Sequence, residues 1–575
     1  MTTPRLDDEI IRNALLVAAE EAAITVVRAA HSQFIVEGSD AGAAILTMDG
    51  ELIAQAAATS MLHSGGMAES VRAIVRDFPP EDMSDGDVFV INDPYRGGVH
   101  ANDVTVSRPV FVDRRPAFMT AALIHVLDLG GSAHGGVNAH ATETLEEGIQ
   151  IPPLHYENGG SRNEELVKLL RLNSRAPDET LGDIDALAAG TLISSRRLQA
   201  LVVQHGPAHI NDAVTSYLDQ TELRTREEIS RLPDGTWSAQ VPIDDDGIHH
   251  DKSYVVAVDV TIRADELSLD FSRTSDQVRA SINSSASQAF DAAVFAVRCF
   301  LDKDIPANSG VYRAIQATFR RGSLLDPEPP HPCGGRMVAV YAVVDAIVRA
   351  LSEAVPTKRS APSGILIGYS IAGTENPYWI HNSFDFGGVG ARNGSDGVDA
   401  VGFHFGVGRN QIPQVEPVEE RCHVRCEAVQ LITDSGGAGQ WRGGLGVRVI
   451  YQILADAVLS HRTDHFATPP EGLQGGHMGR RATVAVISPD GRRTDLPSKI
   501  ANAPVGAGWR VIIETSGGGG VGRPEDRPTE AVSRDVREGK VSLDVAREIY
   551  AVVLQPDGTI DESATAKLRA QVRRR

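Results

Sequence analysis

NDPYRGGVHANDVTV, residues 92 to 106, joins a turn-forming run to an alternating strand pattern and sets His100 and Asp103 three positions apart. On a straight strand, residues three apart face opposite sides, so both side chains reach one centre only if the chain bends between them. Gly97-Gly98 before the pair and Ala101-Asn102 within it permit that bend. The stretch therefore reads as a bend between two strands, DGDVFVIND before it and VTVSRPVFVD after it.

Working outward, PAFMTAALIHVLDL is apolar enough for a buried strand; His125 lies near its end, and Gly130-Gly131 then turns the chain. Upstream, AGAAILTMDGELIAQ predicts a hairpin around Asp49-Gly50, a dipeptide that tolerates the backbone angles of a tight turn, with Asp40 just ahead of it. Strand ends followed by loops are where rigid scaffolds present functional groups. Asp40, His100, Asp103 and His125 thus form a candidate nitrogen and oxygen ligand set for zinc or manganese. Spacing alone leaves a plainer reading open, in which His100 and Asp103 cap a turn and His125 is a satisfied core histidine. Asp128, His63 and His134 stand in the same neighbourhood and are candidate catalytic side chains, as substrate contacts or as partners that orient a ligating histidine.

Around this strand-dominated region, residues 7 to 31 predict a long first helix, with apolar positions Ile10, Ile11, Leu15, Ala18, Ala22 and Val26 at three-four spacing. AESVRAIVRDF predicts a second. The pattern turns helical and charged from 161 to 232, and LPDGTW marks a return to strands. Further on, SQAFDAAVFAVRCFL and GGRMVAVYAVVDAIVRALSEAV read as helices, residues 364 to 515 as glycine-punctuated short strands, and TEAVSRDVREGK and SLDVAREIY as helices. The expected fold class is mixed α/β (α+β), strand-rich cores with flanking helices. Three parts are expected: 1–235 with the metal site, 236–505 as a β-rich domain with inserted helices, and 506–575 as a glycine-rich loop with a helical tail.

Several classes are set aside by composition and motif. A chain of 575 residues with 55 basic against 76 acidic side chains carries a net charge of -21, which argues against a nucleic-acid or anionic-membrane binder. No stretch approaches the ~18 apolar residues of a membrane span, so a cytoplasmic location is expected. Cys422 and Cys426 in RCHVRC have no second ligand pair at zinc-ribbon spacing and read as buried thiols. TSGGGGVGRP contains a literal GxGxxG in Gly517, Gly519 and Gly522, but Arg523-Pro524 follows where a dinucleotide fingerprint needs a helix, so the run reads as a structural glycine loop. There is no GxxxxGK[ST], GxSxG or HExxH motif.

NDPYRGGVHANDV, ATETLEEGIQIPP, RAPDETLGDIDA, NSGVYRAIQATFRRGSLLDPEPP, DSGGAGQWRGGLGV and the run from SGGGGVGRP to REIYAVV together resemble the B-type subunits of the hydantoinase/oxoprolinase family. That class includes the B-like subunits of caprolactamase and of acetone and acetophenone carboxylases. The resemblance is collinear from the first helix to about residue 553. It implies a multi-subdomain hydantoinase-B-like architecture and a larger A-type partner that binds ATP-Mg, in an (AB)2 hetero-oligomer, which accounts for the missing phosphate loop. It implies a metal held by Asp40, His100, Asp103 and His125. It also implies an ATP-dependent opening of a cyclic amide such as a hydantoin, a lactam or a 5-oxoproline-like ring, with the ion activating water or the carbonyl. The alternatives are an ATP-dependent ketone carboxylase using bicarbonate, and a non-catalytic assembly subunit. One departure bears on that choice: many members read HHADVGG where this chain has HVLDLGG, so Val126 stands in place of a histidine.

Overall fold

In the computed structural model, which describes residues 6–56, 63–402 and 412–572, the strands around the opening stretch form a seven-stranded sheet. Its members are β1 (Ala41–Thr47), β2 (Leu52–Gln55), β3 (Val88–Ile91), β4 (Asp103–Val112), β5 (Arg115–His125), β6 (Leu154–Asn158) and β7 (Ser161–Arg162). They run β2-β1-β5-β4-β3-β6-β7, antiparallel throughout. The hairpin expected at Asp49-Gly50 is present, with Ala44 opposite Gln55 and Gly50 at φ 74°. Successive side chains point to opposite faces, so each face needs its own cover. Helix Ser64–Asp77 packs Met67, Val71 and Ile74 on the face carrying Phe89, Met119 and Leu123. The other face, with Val104, Val106, Ala122 and Ile124, is closed by helices Leu6–Ala29 and Pro177–His205 through Ala22, Val26, Ile184 and Leu187. Of the apolar stripe expected on the first helix, Ile10 alone points outward, at 48% exposure; its neighbour Ile11 takes the core position.

A second, four-stranded sheet follows: β8 (Gly235–Ile243), β9 (Tyr254–Arg263), β10 (Glu266–Asp270) and β11 (Ile315–Thr318), with only the β10–β11 pair parallel. Helices Ala286–Arg298 and Met337–Ala354 share its core. The expected glycine-punctuated strands form two sheets. One is ordered β13 (Ile380–Asp385), β12 (Ile367–Gly373), β16 (Ala457–Arg462), β19 (Lys499–Val505). The other is ordered β14 (Val424–Leu431), β15 (Val447–Ile453), β20 (Arg510–Glu514), β17 (Thr483–Ile487), β18 (Arg493–Leu496). Apolar residues of both, Ile367 and Ile371 with Val449, Val486 and Ile513, meet in one core, so the pair is a β-sandwich. The boundary expected at 505 falls inside this unit, because β20 is hydrogen-bonded between β15 and β17.

Against the sandwich lies a seam of backbone without strands. Segments 361–364, 387–391, 435–446, 472–479 and 516–521 run past one another within hydrogen-bond reach. Gly518 N–H donates to Gly444 O at 3.0 Å, Gly437 N–H to Gly518 O at 2.8 Å, Gly444 N–H to Val389 O at 2.8 Å and Gly519 N–H to Pro362 O at 3.0 Å. These glycines are set by space: a Cβ on Gly443 would stand 2.0 Å from Gly518 O, and one on Gly518 2.2 Å from Val389 O. TSGGGGVGRP is thus a packing element of this seam. The chain ends in helices Thr529–Arg537, Leu543–Glu548 and Glu562–Val572; the last carries one buried residue, Thr565, and left no apolar stripe to read.

Candidate metal centre

The bend anticipated in the opening stretch is made by backbone and held by Asn92. Asp103 N–H donates to His100 O at 2.9 Å, closing a turn at the foot of β4. The Asn92 side chain donates to Ala101 O and Ile149 O at 2.5 and 2.9 Å and accepts from Ile151 N–H at 2.6 Å. Gly97 at φ 111° and Gly98 pass so close to Glu69 and Asn92 that a Cβ would stand 2.3–2.6 Å from their backbone atoms. Asp103 then pairs with His125 across β4 and β5, which carries the second histidine to the same place.

Three donor atoms converge. His100 Nε2 lies 2.9 Å from Asp103 Oδ1, and His125 Nδ1 lies 3.2 Å from each of them. Their residues are 1%, 1% and 6% exposed. Ligands at the ~2.0–2.2 Å typical of zinc sit about 3.3 Å apart in a tetrahedron, so the spacing suits one small ion. Protonation states suit it as well. Burial depresses the His100 imidazole well below its usual range, helped by the Arg336 cation. Burial alone would raise the Asp103 carboxyl, but Arg336 and the two histidines more than offset that and hold it well below the carboxylate range. Metal ligands must be a neutral imidazole and an ionised carboxylate, which is the state held here.

Asp40 stands at the start of β1, beside Ala41, which pairs with Ile124 of β5. Its carboxylate falls outside the group whose donor atoms lie within 4.8 Å of one another. It faces His63, whose Nε2 is 3.9 Å away. His63 is 3% exposed, packs over Gly42, and has no hydrogen-bond partner for Nδ1. Asp128 and His134 are placed elsewhere. Asp128 accepts from Gly130 N–H, Gly135 N–H, Arg175 N–H and the Arg175 guanidinium at 2.9–3.3 Å, so its carboxylate ties loops together. His134 stacks on Tyr378 with its Nδ1 3.1 Å from the phenol oxygen. Leu127, Arg175, Tyr378 and Trp379 border a cleft of about 1080 Å3, open to solvent, also lined by Phe34. The Phe34 ring stands edge-on to His125 at 5.6 Å, between the cleft and the donor cluster.

Sequence reading missed Arg336. Its Nη2 donates to Asp103 Oδ2 at 2.6 Å, and the two side chains are 6% and 1% exposed. Arg336 precedes helix Met337–Ala354, so one anchor of the cluster comes from the second sheet's own helix. The loop before it is held by buried Glu147, which accepts from Cys333 and Gly334 N–H at 3.1 and 2.6 Å. Among the described residues, Cys422 and Cys426 join no potential metal group; their thiols contact Ile380 O and Ala428 O. No helix among the described residues is long and apolar enough to cross a membrane.

A sequence profile of hydantoinase B/oxoprolinase matches residues 6–524. The chain belongs to that family. This B-type chain is 30% identical to the caprolactamase subunit beta of Pseudomonas jessenii over 98% of each protein. The crystal structure of the ATP-dependent caprolactamase from that organism superposes with a TM-score of 0.90 at 28% identity, covering 99% of this chain and 100% of that one. The acetophenone carboxylase delta subunit of Aromatoleum aromaticum is 24% identical over 92% of this chain and 84% of its own length. The nucleotide-free structure of acetone carboxylase shares the fold, with a TM-score of 0.91 at 18% identity over 98% of this chain and 83% of that one.

Proposed function

We propose that this chain is the B-type subunit of an ATP-dependent amidohydrolase that opens a cyclic amide, a lactam, hydantoin or 5-oxoproline-like ring, together with an A-type subunit that binds ATP-Mg in an (AB)2 complex. The observation that carries the reading is the buried donor cluster of His100, Asp103 and His125 in a chain that aligns end to end with a caprolactamase subunit. In this reading the cluster would hold a divalent zinc or manganese ion, with Asp40 as the expected fourth ligand. Such an ion supplies Lewis acidity, polarising a carbonyl or lowering the pKa of water. The protein groups do the rest. Asp103, His100 and His125 would fix one centre, and buried His63, its Nε2 3.9 Å from Asp40, would orient that carboxylate. Phe34 screens the cluster from the open cleft.

A second reading, an ATP-dependent ketone carboxylase that consumes bicarbonate, draws support from the likeness to the acetophenone carboxylase delta subunit. One experiment separates the two: co-express the chain with an A-type partner and follow ATP-dependent loss of ε-caprolactam, hydantoin, 5-oxoproline, acetone and acetophenone, with and without bicarbonate. Bicarbonate-independent ring opening is the expected result. Turnover of ketones alone, only with bicarbonate, would replace the first reading by the second.

A further inference from the structure

We infer that Arg336 is a positioning residue which makes Asp103 a one-oxygen ligand and so sets the shape of the metal centre; the inference rests on the metal reading above. The two carboxylate oxygens of Asp103 have different surroundings. Oδ1 faces His100 Nε2 and His125 Nδ1 at 2.9 and 3.2 Å, and Oδ2 accepts from Arg336 Nη2 at 2.6 Å. A carboxylate whose second oxygen is engaged by a guanidinium is held against the rotation that would bind an ion through both. Room beside the ligands then stays open for water or substrate.

Arg336 is itself fixed. It stands at the head of the 18-residue helix Met337–Ala354, and Gly335 N–H donates to Ser281 O at 2.6 Å. Glu147 grips the two preceding N–H groups, and a Cβ on Gly334 would stand 2.6 Å from its carboxylate and 3.2 Å from Arg462 Nη1. Three ligand candidates therefore come from the first sheet, while their geometry is set by a residue 233 positions along the chain from Asp103.

Arg336→Met, Arg336→Lys and Arg462→Met, each co-expressed with the partner, test this by zinc affinity in chelator competition and by the absorption spectrum of the cobalt(II) form. Arg462 is a control: a buried arginine whose Nη1 donates to Gly136 O at 3.0 Å rather than to Asp103. Arg336→Met should weaken zinc ~10- to 100-fold, the usual effect of losing an outer partner of a ligand. Its cobalt spectrum should shift toward higher coordination as Asp103 becomes bidentate. Arg336→Lys, which offers a single point donor, should give a smaller change in the same direction, and Arg462→Met should leave both readouts unchanged. If Arg336→Met does not fold, Arg336→Lys carries the test: wild-type zinc affinity together with a wild-type cobalt spectrum would overturn the inference. An equal loss in Arg462→Met would also overturn it, by showing a general effect of removing a buried cation. A wild-type complex that takes up neither zinc nor cobalt would instead defeat the metal reading, and this inference with it.

Discussion

The donor cluster, at the end of the β4–β5 ladder, and the glycine seam are both buried and are opposite in how they are built. At the cluster, His100, Asp103, His125 and Arg336 crowd ionisable side chains into a space where each charge needs a named partner. In the seam, side chains are missing, and Gly437, Gly443, Gly444 and Gly518 let carbonyls and amides of separate segments satisfy one another directly. Buried backbone polar groups must be paired in either case. One region therefore fails when a partner is removed, and the other when an atom is added.

The largest effect expected is at the cluster. His100→Ala and Asp103→Ala should both abolish turnover of the assembled complex and lose the bound metal, measured by elemental analysis. They should differ in stability once metal is chelated. Asp103→Ala strands Arg336 as a buried cation, and breaking one side of a buried pair costs about 3–5 kcal/mol. His100→Ala leaves that pair intact. Equal melting temperatures for the two metal-free variants would show that Arg336 and Asp103 are not the tight pair described.

Next comes the seam. Gly518→Ala or Gly443→Ala places a Cβ 2.2 or 2.0 Å from a carbonyl oxygen whose own segment is hydrogen-bonded in place. Overpacking of this kind costs typically about 1–3 kcal/mol, and the upper end is expected against a fixed carbonyl. Thermal unfolding should show a drop of several degrees, with zinc stoichiometry per folded chain unchanged. A simultaneous loss of zinc would mean that the two regions are coupled.

How far each region was legible in the sequence follows from the same contrast. The cluster was legible in part because its chemistry is in its residue types: a bend between His100 and Asp103, and a strand end at His125, put polar side chains where scaffolds present them, while spacing alone left a capped turn and a core histidine open. The first sheet was readable because its strands alternate or run apolar, and the hairpin because Asp49-Gly50 tolerates the turn. Arg336 was not readable, since its tie to Asp103 spans 233 residues and its local context, HPCGGR, looks only like the lead-in to a helix. Nor were the exact ties of Asp128, whose carboxylate is used up by loop amides and Arg175. The seam glycines resembled loop punctuation because the reason for them lies in four other segments.

A smaller effect, outside both regions, tests what a buried ionisable group does. His461 of β16 is 0% exposed; burial, with nearby Lys499, pushes it down to about 3 against the opposing effect of the Ser498 backbone. A histidine whose folded value lies below the unfolded ~6.5 stays neutral in the native state while the unfolded chain takes up a proton. Its share of stability is therefore complete above that value and falls as the solution is acidified. Between pH 7 and 5 this share comes to about 2 kcal/mol. His461→Leu should lose correspondingly less stability over that interval than the wild-type chain, read from denaturant unfolding at the two pH values. Parallel losses would mean that His461 keeps a near-normal value in the folded state.

The smallest effect comes from a glycine chosen for the opposite reason to those of the seam. Gly539 follows helix Thr529–Arg537, is exposed, takes φ 71°, and would have nothing within 4 Å of an added Cβ. Only the left-handed backbone then opposes a side chain, at roughly 1–2 kcal/mol for alanine and less for asparagine, whose short polar group tolerates that conformation. Gly539→Ala should lower the melting temperature slightly and Gly539→Asn less still. At Gly518, where φ is not left-handed and a carbonyl stands in the way, asparagine should be at least as damaging as alanine. The order of alanine and asparagine at the two sites thus separates backbone strain from collision, and the same order at both would dissolve the distinction.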